Sequence, residues 1–152
     1  MNSRGIKRKI IENLTDKKFY ISDGNTKLYG NLIKKIIFEK IKIIKKKNLK
    51  GNTIAILKNK CGIIYWVNLI VAYLCNFTIY PEIKSTKISK YYNNIIIFDG
   101  ENIYFKKKKY KKKTHLNKFD IIFSSSGSTG QPKLILQTFS SLLKNTTFVL
   151  DK

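Results

Sequence analysis

The sequence predicts an α/β fold, a mostly parallel sheet with helices packed on it. Three observations predict it. First, short apolar runs of strand length recur: "TIAIL" at 53–57, "NIIIF" at 94–98 and "FDIIF" at 119–123. Strands buried on both faces read as continuous apolar runs, as parallel strands do. Second, the run at 53–57 and a short strand at 78–80 bracket an apolar stretch of helical length at 61–75. Strand, helix, strand at these lengths is a βαβ unit. Third, the chain has 152 residues and is 43% hydrophobic and 12% aromatic. That is enough for one domain with a real core, and it argues against disorder.

Residues 1–15 are basic and polar and lack the apolar centre and small-residue cleavage site of a secretory signal. Residues 18–28, "KFYISDGNTKL", read as a hairpin about the turn Asp23-Gly24-Asn25. A helix is expected over 31–47, where Leu32, Ile33, Ile36, Ile37, Ile41 and Ile44 form one stripe opposite lysines. Gly51 lies just beyond its end. The stretch 61–81, "CGIIYWVNLIVAYLCNFTIYP", approaches the roughly 20 residues of a membrane span. Asn68 and Asn76 interrupt it, and Thr78-Ile79-Tyr80 before Pro81 reads as a strand. A buried helix and strand are expected, with no membrane span.

The run at 94–98 ends at Asp99-Gly100, and Ile103-Tyr104-Phe105 is expected to pair back on it. Residues 106–113, "KKKKYKKK", form a like-charge block that repels itself and reads as a solvated loop. The other reading is a phosphate-binding patch for nucleic acid or an anionic membrane. With one interleaved aromatic and no Arg, nucleic acid is not the expected partner. "KLILQ" at 133–137 reads as a further strand, and Thr138 is placed to cap a helix whose stripe includes Leu142, Leu143, Thr146 and Val149 or Leu150.

The formal net charge is +22, with Lys outnumbering Arg 29 to 2 and Ala only at 55 and 72. Abundant Lys, Ile and Asn match AT-rich codons, so coding bias accounts for most of the charge. A surface that reads nucleic acid keeps more Arg, whose fork binds bases and phosphates bidentately. The charge still makes a positive field that attracts anions. Cys61 and Cys75 both lie among apolar residues and read as small buried hydrophobes in a reducing, cytoplasmic setting rather than as a disulfide.

The most informative stretch is "FSSSGSTGQPKLILQ", 123–137. Ser125, Ser126, Gly127, Ser128, Thr129 and Gly130 supply hydroxyls and unhindered backbone amides between two apolar runs. Gly127 and Gly130 permit close approach, and successive amides in such a turn make a concave anion site. Lys133 adds a point charge after Pro132. These groups suit a polyphosphate. The stretch is not G-x-x-x-x-G-K-[ST], because Gln131-Pro132-Lys133 follows Gly130.

"SSGSTGQPK", Ser125 to Lys133, resembles the phosphate loop of the adenylate-forming enzymes: acyl-CoA synthetases, luciferases and peptide-synthetase adenylation domains. Their pattern is [ST]-S-G-[ST]-T-G-x-P-K-G. "FYISDGNTKLYGNL" is similar to the family's N-terminal hairpin and first helix, D-G-x-x-x-[ST]-Y-x-x-L. "GNTIAILKNKCGIIYWVNLIVAYLCNFTIYP" is similar to the next family segment, with Asn59 on the family's Asn. The resemblance implies that the chain, 1–152, is the N-terminal portion of an AMP-binding domain without the C-terminal lid domain. It implies ATP with Mg²⁺ as cofactor and a carboxylic acid as substrate. Ser125, Ser126, Gly127, Ser128, Thr129, Gly130 and Lys133 would hold the β- and γ-phosphates while the acid attacks the α-phosphorus and pyrophosphate leaves. No catalytic residue and no metal ligand is assigned within the chain.

Three positions depart from the family pattern. Leu28 stands where a Ser or Thr would cap the first helix. Leu134 replaces the Gly after the loop lysine, which would put a side chain near a tight turn. Phe139 aligns with a His that the family places near the acyl and adenylate groups. Family members are several times longer, and their adenine, ribose and Mg²⁺ contacts and their lid Lys lie downstream of the loop. Three accounts fit: a truncated or frameshifted gene product, one half of a split enzyme completed by a second polypeptide, or a degenerate basic module that binds nucleic acid or another polyanion without catalysis. In each, the chain alone is expected to be inactive in adenylation.

Overall fold

The computed structural model describes residues 3–49, 52–58, 62–81, 91–107, 120–125 and 133–142. Helix α1 spans Ser3–Asn13. Strands β1 (Tyr20–Ser22) and β2 (Lys27–Tyr29) form a small antiparallel hairpin. Asp23 makes its turn, with Oδ1 accepting from the backbone N–H of Asn25 (3.2 Å) and Thr26 (3.0 Å), while Gly24 takes φ 94°. Helix α2 (Gly30–Lys45), β3 (Thr53–Leu57), α3 (Ile63–Leu74) and β4 (Thr78–Pro81) follow. Then come β5 (Asn94–Asp99), β6 (Asn102–Lys107), β7 (Ile121–Ser125) and β8 (Lys133–Gln137).

Six strands make one sheet in the order β6-β5-β3-β4-β7-β8. The centre, β5-β3-β4-β7, is parallel, and both edge strands pair antiparallel to their neighbours. The fold is therefore mixed α/β, with the parallel character confined to the middle of the sheet. β3 is buried at every position, which its uninterrupted apolar sequence demands. Ile103-Tyr104-Phe105 does return on β5, across a two-residue turn at Gly100-Glu101 in which Gly100 adopts φ 58°.

Alternation along the strands builds two apolar layers. Ala55, Leu57, Ile79, Ile96, Phe98 and Ile121 face a core shared with Ile33, Ile37 and Ile44 of α2 and Val67, Val71 and Ala72 of α3. Ile54, Ile56, Tyr80, Tyr92, Ile95 and Ile122 form a buried cluster on the other face, with no helix of α1–α3 in it. The apparent membrane stretch resolves into α3 and β4 as expected, and no described helix is long and apolar enough to cross a membrane.

Several expectations are corrected. The basic segment at the start, read from sequence only as lacking a secretory signal, forms a helix. Ile6, Ile10 and Leu14, spaced by four, lay one face of α1 and the residue after it on the core. The lysine block is not wholly a loop, since Lys106 and Lys107 end β6 opposite Ile95 and Asn94, with both side chains exposed. Residues 108–113 and Cys61 lie outside the described residues. Cys75, the residue after α3, is a free, half-buried thiol whose pKa burial pushes up to about 11 against the pull of Lys45 and Lys7. It is a protonated, inert thiol at neutral pH.

Candidate phosphate-binding loop

Because β3, β4, β5 and β7 are parallel, their carboxyl ends, Leu57, Pro81, Asp99 and Ser125, share one edge of the sheet. Ligands of open α/β sheets bind along this edge, in the loops beyond the strand ends. In sequence, residues 126–132 join the end of β7 to the head of β8. Ser125 and Lys133 are direct Cα partners, the last rung of the β7–β8 ladder. Antiparallel partners stand ~4.5–5.5 Å apart. The two ends of the motif are thus held side by side, and Lys133, an exposed residue, begins β8 at that mouth. Ser126, Gly127, Ser128, Thr129 and Gly130 lie outside the described residues, as does Asn59.

The departures from the family pattern have structural counterparts. Leu134 sits in regular strand opposite Ser124 and is 40% exposed, so it is a strand residue rather than part of a turn. No side chain caps α2. Its N-terminal flank is Tyr29 in extended conformation, and the start is fixed instead by Gly30, whose N–H donates to the Phe19 carbonyl at 2.9 Å. A Cβ at Gly30 would stand 2.9 Å from the Leu14 carbonyl oxygen, so this close approach needs glycine.

Thr138 is a helix cap, as the sequence suggested, while Leu143, Thr146, Val149 and Leu150 of the expected helix lie outside the described residues. Its Oγ1 accepts from the Ser141 N–H at 3.1 Å, and residues 139–142 are helical. Phe139 then packs its ring on Tyr73, centroids 4.1 Å apart, and its N–H donates to Asp120 Oδ2 at 2.8 Å. β8 runs its five residues away from the loop before Phe139 begins, a separation of roughly 16 Å at ~3.3 Å per residue. The position that the family pattern gives to a His is a packing position at the opposite edge of the sheet.

Two buried polar groups escaped the sequence reading. Lys40 Nζ donates to the Glu101 carbonyl at 2.9 Å, and Asn68 Nδ2 donates to the Gly100 carbonyl at 2.8 Å. Together they tie α2 and α3 to the β5–β6 turn at the carboxyl edge. Burial holds the Lys40 ammonium below its ordinary pKa, with Glu101 pulling it back up. The signal was present: Ile33, Ile37, Lys40 and Ile44 follow one helical stripe, with a lysine in an apolar place. A cavity of about 420 Å³ opens beside Lys40, lined also by Ile36, Ile43, Ile64 and the acids Glu39 and Glu101. Nearby, Lys58 and Asp99 pair at 3.7 Å across the ends of β3 and β5, both partly exposed. No cluster of three His, Cys, Asp or Glu suited to a metal occurs among the described residues.

No protein-family model matches this chain, and no curated protein matches it significantly.

Proposed function

We propose that this chain is a segment of an AMP-dependent acid ligase, and that residues 125–133 hold the β- and γ-phosphates of ATP during carboxylate adenylation. The observation that carries the reading is the motif "SSGSTGQPK" bridging the carboxyl end of a parallel strand and the head of its antiparallel neighbour. Any ligand drawn to that edge meets the Ser125–Lys133 rung. Lys133 contributes a compact charge on a flexible stem, suited to a phosphate oxygen. Ser126, Ser128 and Thr129 contribute hydroxyls, and Gly127 and Gly130 contribute amides that no Cβ shields. Mg²⁺, when bound with ATP, would neutralise the phosphates and polarise the α-phosphorus. What these residues do is hold charge and orient pyrophosphate as a leaving group.

The carboxylic acid substrate, the acceptor of the second step and a second polypeptide that completes the site belong to the same proposal. The family's groups for adenine, ribose and catalysis are not matched in residues 1–152, so the chain binds phosphate without catalysing adenylation. Pyrophosphate exchange across a panel of carboxylic acids tests this. The expected outcome is background exchange. Exchange that disappears in Lys133→Ala would show instead that these residues suffice.

A second reading, a basic polyanion-binding module, is favoured by the exposed Lys106 and Lys107 on the β6 edge and by the net charge of +22. It predicts RNA or DNA binding that is lost on neutralising Lys106–Lys113 and is indifferent to Lys133→Ala.

A further inference from the structure

We propose that the outer edge of β8 is a self-complementary interface through which two copies of this chain pair, β8 against β8, into one continuous sheet. β8 ends the six-stranded sheet, and among the described residues no strand lies beyond it. Leu134 is 40% and Ile135 44% exposed. Successive strand residues point to opposite faces, so both faces of this edge carry exposed apolar side chains.

The other edge is built differently. β6 exposes Asn102, Tyr104, Lys106 and Lys107, and lysines on an edge strand discourage strand addition. β8 has one lysine, at its first residue, and no charge from Leu134 to Gln137. One edge is guarded and the other is not.

The order of residues in β8 identifies the occupant. Lys133-Leu134-Ile135-Leu136-Gln137 reads almost the same in both directions. A two-fold axis through Ile135 sets Ile135 opposite its own copy, Leu134 opposite Leu136 of the second copy, and Lys133 opposite Gln137 of the second copy. Each apolar residue meets an apolar residue, and no lysine faces a lysine. An isologous antiparallel pair needs this self-complementarity, and directly opposed side chains are the unit of sheet stability.

Charge gives the interface a signature. Each copy carries +22, and that repulsion opposes pairing until salt screens it. Self-association through β8 therefore strengthens as salt rises, whereas binding of a polyanion weakens.

Sedimentation of the full chain at low and high salt tests this. The expected result is a dimer fraction that rises with salt. Ile135→Lys, which sets two ammonium groups face to face on the axis, is expected to weaken the dimer at least tenfold, while Tyr104→Lys on the β6 edge leaves it unchanged. A second readout covers loss of folding in the lysine variant. With Cys61→Ser and Cys75→Ser, a chain carrying Ile135→Cys is expected to cross-link to itself under mild oxidation, and one carrying Tyr104→Cys is not. A monomer at both salts, a dimer indifferent to Ile135→Lys, equal cross-linking at both positions, or capture of an acidic partner without self-association would each overturn the proposal.

Discussion

Gly30 and Lys133 show two ways in which one residue matters. Gly30 has an ordinary backbone conformation, and its importance is room: a methyl group there meets the Leu14 carbonyl at 2.9 Å, and backbone cannot move aside as a side chain can. Gly30→Ala is expected to destabilise the chain by about 1–3 kcal/mol, as overpacking does, read as a lower denaturant midpoint with unchanged slope. Lys133 is exposed at the end of a strand, so removing its ammonium should cost little fold stability. Lys133→Ala should leave the far-UV spectrum unchanged and act chiefly on the affinity for a phosphate ligand. Lys40 gives a pH prediction. Its folded pKa lies below 10.5 because burial disfavours the charged form. The unfolded chain then binds more protons between the lowered pKa and 10.5, so stability rises with pH through that window. Wild type is expected to gain stability relative to Lys40→Met as pH climbs from neutral towards 10.5, measured by paired denaturant titrations. A constant difference would contradict the burial argument.

At the scale of elements, β7, β8 and the turn at Thr138 form the unit that carries the two ends of the candidate site. Asp120 joins its far end: its N–H donates to the Gln137 carbonyl at 3.0 Å, its carbonyl accepts from the Ile79 N–H at 2.7 Å, and its carboxylate accepts from the Phe139 N–H. Asp120→Ala should loosen the hairpin where it meets β4, and hydrogen exchange at Gln137 and Phe139 should accelerate while α2 stays protected. The central strands were legible in sequence because parallel strands buried on both faces read as unbroken apolar runs, as 53–57 and 94–98 do. Helix α2 was legible from its stripe. Helix α1 was passed over because its lysines and arginines dominate the composition, although Ile6, Ile10 and Leu14 carry the four-residue spacing of a packed face. The role of Phe139 was hidden for a different reason. Alignment gives a position along the chain, whereas its contact with Tyr73 depends on the antiparallel course of β8.

For the whole molecule, the layers are unequal. Helices α2 and α3 pack on one face of the sheet, while the opposite face holds a small cluster around Ile54, Tyr80, Tyr92 and Ile122 with no described helix upon it. Ile54, Tyr80, Tyr92 and Ile122 are nevertheless fully buried, so this face too is shielded from solvent, as parallel sheets require. The apolar edge at β8 predicts a chain that associates when expressed alone, and a cooperative, concentration-independent melt of a monomer would count against it. The charge of +22 complicates every binding measurement, because a positive field attracts any anion. Phosphate specificity therefore has to be read from where the charge sits, as the loss caused by one lysine compared with the loss caused by several.

That comparison decides whether residues 125–133 form a phosphate site. Calorimetric titration of MgATP and of pyrophosphate is carried out at low salt and again at about 0.15 M salt, where the Debye length falls to ~8 Å. Wild type is compared with Lys133→Ala and with the double variant Lys106→Gln, Lys107→Gln. Lys133→Ala is expected to weaken both ligands about tenfold at either salt, while the double variant changes affinity only at low salt. Equal affinity in wild type and Lys133→Ala, with binding abolished by the double variant, would contradict the phosphate site.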